Sequence, residues 1–282
     1  MAKPEVGPVM VENWPAHLLL IGCGNMAGAM LARWLDCGLP PERVTVIRPS
    51  GKPVADGVTV RTQLAEPVAA GTVVLLGCKP QQLAQVAQDL AGLIGADTRM
   101  LSILAGVPVA QLHAAFGQVD AIIRCMPNLP VRTGHGVSTL HADRAVSGEA
   151  RALATELCAP LGLVEWLDDE QLFDAATALA GCGPAFVYRF IDALGGAGAS
   201  LGLDPAQAAR MALATVAGAA ISAANADASP AAMADAVASK GGMTREGLDV
   251  LDRPGGLVAL LDETLRAARD RGAALAALSA KN

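Results

Sequence analysis

The chain has 282 residues, enough for two domains of roughly 100–200 residues and for a core that needs no disulfide or metal staple. It is 52% hydrophobic, 17% charged and only 3% aromatic, with a net charge of −6. Such a composition excludes a disordered chain and argues against nucleic acid or an anionic membrane as partner. In chain order, short apolar runs predict strands at His17–Ile21, Arg43–Ile47, Thr72–Gly77, Arg99–Leu104, Ala121–Cys125, Val137–Leu140 and Val164–Leu167. Helical patterns over Met26–Asp36, Gln81–Ile94, Val109–Phe116 and Gly148–Leu161 separate several of them. Strands spaced by helices build right-handed βαβ units, so the expected fold class is α/β: a Rossmann-like, doubly wound, mostly parallel sheet over residues 1–168. The runs are continuous rather than alternating, as strands covered on both faces require.

After Asp168 the strand signals stop, and an all-α domain is expected over 169–282. Asp204-Pro205 and Ser229-Pro230 each set a capping residue before a proline at the first helical position. Gly202 ends one helix, and Pro254-Gly255-Gly256 separates two more. Gly195, Gly196, Gly198, Ala199 and Gly218 permit close helix approach, which points to packing against a second subunit. The six cysteines form no C-x-x-C and the four histidines no ligand rhythm, so no metal is expected and the thiols read as buried hydrophobes in a reducing cytoplasm. The stretch MAKPEVGPVMVENWPAH is too broken for a secretory signal. Thr215, Gly218, Ser222 and Asn225 interrupt the most apolar helical stretch, so no membrane span is expected.

The run LLLIGCGNMAGAM passes from a strand through Gly22-x-Gly24-x-x-Ala27 into a helix. Gly22 permits the tight turn, Gly24 admits a pyrophosphate to the backbone, and Ala27 lets helix and strand close up. Asn25 and Met26 open the helix, whose bare N–H groups and positive dipole end suit phosphates. The alternative is a purely structural turn. No acid stands between Glu42 and Asp56 to bond a ribose 2′-hydroxyl, whereas Arg48, Ser50 and Lys52 suit a 2′-phosphate. NADP is therefore favoured over NAD, unless Arg48 and Lys52 are solvated loop charges. Further loops fall on the carboxyl edge of the sheet, where open α/β sheets bind ligands. They are Gly77-Cys78-Lys79-Pro80, Ala105-Gly106 and Arg124-Cys125-Met126-Pro127-Asn128. Lys79 and Asn128 either face a nicotinamide there or belong to ordinary turns.

With AGCGPAFVY (Ala180–Tyr188) and SKGGMTREGLDVL (Ser239–Leu251), these loops resemble the pyrroline-5-carboxylate reductase family over nearly the whole chain. The resemblance implies NAD(P)H-dependent reduction of 1-pyrroline-5-carboxylate to L-proline, the last step of proline synthesis. Cys78, Lys79, Pro80, Ala105 and Asn128 would then join Gly22, Gly24, Asn25, Met26, Arg48, Ser50 and Lys52 in holding the cofactor. Ser239, Gly241, Gly242, Met243 and Thr244 would hold the substrate carboxylate, with Thr244 catalytic at the ring nitrogen and Glu170 also near the substrate. The helical domain would form a homodimer, and the family often assembles such dimers into a decamer. Imine reduction demands no strong base, which agrees with a sequence offering no convincing His/Asp pair or metal site. Two residues depart from the family pattern: Lys240 replaces Pro, and Met243 replaces Thr or Ala. They leave open a different cyclic imine, or a non-catalytic NADP-binding paralogue.

Overall fold

A computed structural model describes position 11 and residues 13–279, with side chains up to residue 274. Most of the amino-terminal stretch read for a signal lies outside the described residues. The first part of the chain runs β1 (Leu18–Ile21), α1 (Asn25–Asp36), β2 (Val44–Ile47), β3 (Thr59–Arg61), β4 (Val73–Leu76), α2 (Leu83–Asp89), β5 (Arg99–Ser102) and α3 (Val109–Ala115). It continues with β6 (Ala121–Pro127), β7 (Gly136–His141), α4 (Gly148–Cys158) and β8 (Gly162–Trp166). The strands form one sheet in the order β3-β2-β1-β4-β5-β6-β7-β8. Strands β1 to β6 are parallel, β7 is antiparallel to β6, and β8 is parallel to β7.

The continuous apolar runs follow from this layering. Leu18 and Leu20 of β1, with Val73 and Leu75 of β4, enter one core together with Met30, Trp34, Ala154 and Leu157 of α1 and α4. Leu19, Ile21, Val74 and Leu76 enter the other, against Leu83, Leu112 and Phe116 on the α2–α3 side. Side chains alternate between faces, but both faces are dry, so every position is apolar.

Seven strands were expected, and the structure adds β3. Its Thr59-Val60-Arg61 is too short and too exposed to carry an apolar signature, and pairing with β2 alone makes it a strand. Strand β6 also runs further than expected. Arg124 pairs with Ser102, the last residue of β5, and β6 continues to Pro127. On β6, only residues from Arg124 to Pro127 pair with β7. The β6–β7–β8 end of the sheet thus rises as an overhang beyond the edge where β1, β4 and β5 stop.

The remainder is helical: α5 (Phe173–Ala176), a π turn at Thr177–Gly181, α6 (Gly183–Ser200), α7 (Pro205–Ala224), α8 (Pro230–Ala236), α9 (Met243–Asp252) and α10 (Leu257–Ser279). Asp204 and Ser229 cap α7 and α8, accepting from the backbone of Gln207 at 2.9 Å and Ala232 at 3.2 Å. Residues 182–267 form one compact unit, whereas the described residues up to Gly181 form another with those from Ala268 on. The expected boundary at 168/169 marks the end of the strands. The segment from Glu170 to Gly181 groups with the sheet, to which Phe173, Glu170 and Ala180 are bonded or packed. In the helical unit Gly195 is buried, and a Cβ there would lie 3.2 Å from Ala209 Cα, so α6 and α7 meet almost backbone to backbone. Among the described residues no helix is long and apolar enough to cross a membrane, and no group of ligating side chains could hold a metal ion.

Candidate active site

The turn after β1 is fixed by the ends of its neighbouring strands. The Gly22 N–H donates to Ile47 O at 2.8 Å. With φ at +85°, Gly22 packs so closely that a Cβ would sit 2.8 Å from Gly77 O and 3.0 Å from Cys78 N. Ala27 closes the same contact from the helix, its Cβ 3.0 Å from where one on Gly77 would lie. Gly24, by contrast, has nothing within 4 Å of its absent side chain and lies exposed as the N-cap of α1. The first helical bond is Gly28 N–H to Gly24 O, which leaves the amides of Asn25, Met26 and Ala27 ahead of it without intrahelical acceptors.

This turn opens onto a cleft of about 1000 Å³. Gly22, Cys23, Gly24, Arg48, Ser50, Cys78 and Lys79 line it, as does the face of α2 around Gln85 and Val86. Arg48 is held by its backbone, which donates to Arg61 O at 2.9 Å and accepts from Gly51 at 3.0 Å. Ser50 Oγ accepts from the Lys52 N–H at 3.4 Å. Lys52 itself is exposed and outside the lining. Thr62 and Gln63, just after β3, also line the cleft. Sequence reasoning missed them because it missed β3. Burial pushes the thiols of Cys23 and Cys78 up from their ordinary range, and the Arg48 cation offsets this only partly at Cys23.

The other edge loops behave differently. Pro80 opens a short turn that ties the Lys79 N–H to Gln82 Oε1 at 3.1 Å. Ala105 is exposed after β5, outside the lining of the cleft. Asn128 does not turn toward the cleft. Its side chain is buried, donating to Ala180 O at 2.9 Å and accepting from the Val137 N–H at 2.9 Å. Its side-chain amide is spent on backbone. Glu170 is likewise engaged: one carboxylate oxygen accepts from Arg124 Nη1 at 2.6 Å and from the Val109 N–H at 2.8 Å. Sequence separations of 46 and 61 residues hid both partners.

In the helical unit, Ser239 to Thr244 form a second glycine turn into a helix. The Gly242 N–H donates to Ser239 O at 2.9 Å, Gly241 has a φ of +68°, and Gly242 caps α9. A Cβ on Gly242 would meet Ser239 Oγ at 2.5 Å, so the hydroxyl lies directly over that residue. Thr244 is exposed and Met243 is 94% exposed. Met243 therefore crowds nothing within its own chain. Arg245 is anchored by Asp235 at 2.6 Å, which also holds its guanidinium pKa up.

A 3-2-1-4-5-6 sheet whose first glycine turn lines a cleft and leads into a helix start defines a dinucleotide-binding protein of the Rossmann class. Residues 17–106 match the family described as "NADP oxidoreductase coenzyme F420-dependent", and residues 170–275 match "Pyrroline-5-carboxylate reductase dimerisation". A pyrroline-5-carboxylate reductase of Pseudomonas aeruginosa is 35% identical over 265 residues, covering 92% of this chain and 97% of that protein. One from Synechocystis is 37% identical, covering 90% and 96%. Among solved structures, a pyrroline-5-carboxylate reductase of Coxiella burnetii aligns with a TM-score of 0.79 at 28% identity, covering 92% of this chain and 97% of that one. The Plasmodium falciparum pyrroline carboxylate reductase with NADP bound shares the fold, with a TM-score of 0.80 at 22% identity and coverage of 95% and 99%. The chain belongs to the pyrroline-5-carboxylate reductase family.

Proposed function

We propose that the protein reduces 1-pyrroline-5-carboxylate to L-proline with NADPH, NAD serving as a weaker cofactor. The observation that carries this reading is the open glycine turn and its cation-lined cleft, in a chain 35% identical to the Pseudomonas aeruginosa reductase along 97% of that protein. The residues fit a dinucleotide. A methyl at Gly22 would collide with backbone, Gly24 leaves the approach to α1 clear, and Arg48 with Ser50 stands where the adenosine ribose is read. Bound NADPH would supply the hydride for the imine carbon.

The chain's own residues do the rest. The amides of Asn25 and Met26 receive the pyrophosphate, Arg48 and Ser50 the 2′-phosphate, and Lys79 adds positive charge along the cleft. Ser239 and the amides of Gly241, Gly242, Met243 and Thr244 bind the substrate carboxylate, each charge-assisted bond contributing about 1.5–3 kcal/mol. The Thr244 hydroxyl orients the proton on the ring nitrogen. Catalysis rests on holding a protonated imine in line rather than on a strong base. The helical unit forms a homodimer, consistent with large apolar side chains such as Val187, Tyr188, Phe190, Met211 and Leu213 left exposed on a single chain, and dimers assemble further toward a decamer. All six cysteines are free, which suits a reducing cytoplasm.

The decisive experiment is an absorbance assay of purified protein with 1-pyrroline-5-carboxylate and either NADPH or NADH. Oxidation of NADPH, faster than that of NADH, is expected. NADPH binding without turnover of this imine, or turnover only of a larger ring, would replace the proposal with a regulator or a different imine reductase.

A further inference from the structure

The engagement of Glu170 has a geometric meaning beyond the occupancy of its carboxylate. Val109 begins α3 and ends the loop that follows β5. Arg124 sits in β6 at the level where β5 stops, since it pairs with Ser102. Glu170 opens the turn after β8. One carboxylate oxygen therefore joins three chain segments at the carboxyl edge of the sheet. The order β1-β4-β5-β6 sets the loops after β5 and β6 further along that edge from the phosphate-binding turn, beyond the loop after β4.

The join is stiff. The Arg124 side chain is 7% exposed, its guanidinium lies 3.9 Å from the centroid of the Phe173 ring, and Phe173 is itself buried. A cation so deeply buried holds its counter-charge, because removing one partner strands the other in a poor solvent. Arg124 Nε is also buried with no hydrogen-bond partner, so the guanidinium has little solvation to fall back on. Glu170 cannot swing toward a ligand without exposing this debt. Four residues beyond Arg124, Asn128 ties the end of the overhang to Val137 and Ala180.

We infer that Glu170 and Arg124 are positioning residues for the reaction, fixing the loop of residues 103–108 against the β6 overhang where the reacting end of the cofactor must lie. The inference rests on the proposed function. It replaces the expectation that Glu170 touches the substrate. It also separates two stretches of the sheet's carboxyl edge: the Gly22–Arg48 stretch, which lines the cleft, binds, whereas the β5–β6 stretch beyond it aligns.

The test combines steady-state kinetics with the imine and NADPH, NADPH affinity by nicotinamide fluorescence, and hydrogen exchange over residues 103–112, in wild type and E170Q. The expected result is a kcat lowered about ten- to a hundredfold, the scale of a small misalignment of reactants, with KM for the imine and NADPH affinity held within about threefold. Exchange at the Val109 amide should quicken at least about tenfold as its acceptor weakens. A raised imine KM with kcat intact would overturn the inference in favour of direct substrate contact. Unchanged kinetics and exchange would overturn it outright, and so would parallel losses of kcat, NADPH affinity and unfolding midpoint. Should E170Q not fold, R124M/E170L keeps the packing while turning the pair apolar, and wild-type kcat in that variant is equally fatal. A wild-type protein inert toward the imine would sink the functional reading and the kinetic half of this inference, while exchange at Val109 still decides whether Glu170 holds the loop.

Discussion

Two glycine turns lead into helix starts in this chain, and they are built in opposite ways. The turn at Gly22–Ala27 is braced from outside. Ile47 receives its amide, Gly77 and Cys78 press on Gly22, and Ala27 packs on Gly77. Among the described residues, the turn at Ser239–Thr244 is braced by itself, through Gly242 N–H to Ser239 O and the Ser239 hydroxyl lying over Gly242. A Cβ on its glycine with positive φ, Gly241, would meet nothing within 4 Å. The same local device is thus built in two ways: a sheet sets one turn rigidly, whereas the other presents its amides on an exposed helix start.

Substitutions can break or sharpen this contrast. Gly22→Ala should have the largest effect, because the left-handed backbone costs about 1–2 kcal/mol and the methyl also displaces Gly77. NADPH binding should fall at least a hundredfold, by about 2.7 kcal/mol or more, with a lower unfolding midpoint. Gly241→Ala should incur only the backbone term, read by urea unfolding. Equal destabilisation by the two would erase the distinction. Thr244→Ala should lower kcat/KM roughly ten- to a thousandfold, the range for losing one transition-state donor, with no change in unfolding since Thr244 is exposed. A fully active variant would remove its assigned role. Arg48→Ala should weaken NADPH about ten- to a hundredfold and NADH much less, measured by titration of each. Equal loss for both would dismiss the 2′-phosphate argument.

The smallest effect belongs to His17, held between the hydroxyls of Thr45 and Thr72 just before β1. Burial, and then the Arg61 cation, push its pKa below the ordinary 6.5. The folded state therefore keeps His17 neutral where the unfolded chain would protonate it. Its contribution is fully present above about pH 6.5 and is lost as pH falls through that value toward the folded pKa. His17→Asn should flatten this acid-side slope in urea unfolding at about pH 5 and pH 8 without touching NADPH binding. An unchanged slope would assign the acid sensitivity elsewhere.

Much of this could be read from residue patterns, because buried strands and capped helices are local signals. The run LLLI, the G-x-G-x-x-A turn and the Asp-Pro and Ser-Pro caps each announce themselves within a few residues, and the structure has them in those places. Strand β3 could not be read so, since Thr59–Arg61 owes its conformation to β2. With it went Thr62 and Gln63 of the cleft wall. The commitments of Asn128 and Glu170 were hidden for a related reason: Ala180 lies 52 residues from Asn128, Arg124 and Val109 lie 46 and 61 from Glu170, and polar side chains carry no periodicity that would betray a buried bond. What was missed is what only tertiary contact decides.

The close meeting of Gly22 and Gly77 also sets how this protein can change. The atoms that a methyl at 22 would strike, Gly77 O and Cys78 N, are main chain, which no second substitution can trim. Damage there has no suppressor. A Cβ at Gly28 would meet the Cys23 sulfur at 3.8 Å, a side chain that can be exchanged for a smaller one. Engineering of the cofactor turn therefore has room at 23 and 28 as a pair, and none at 22.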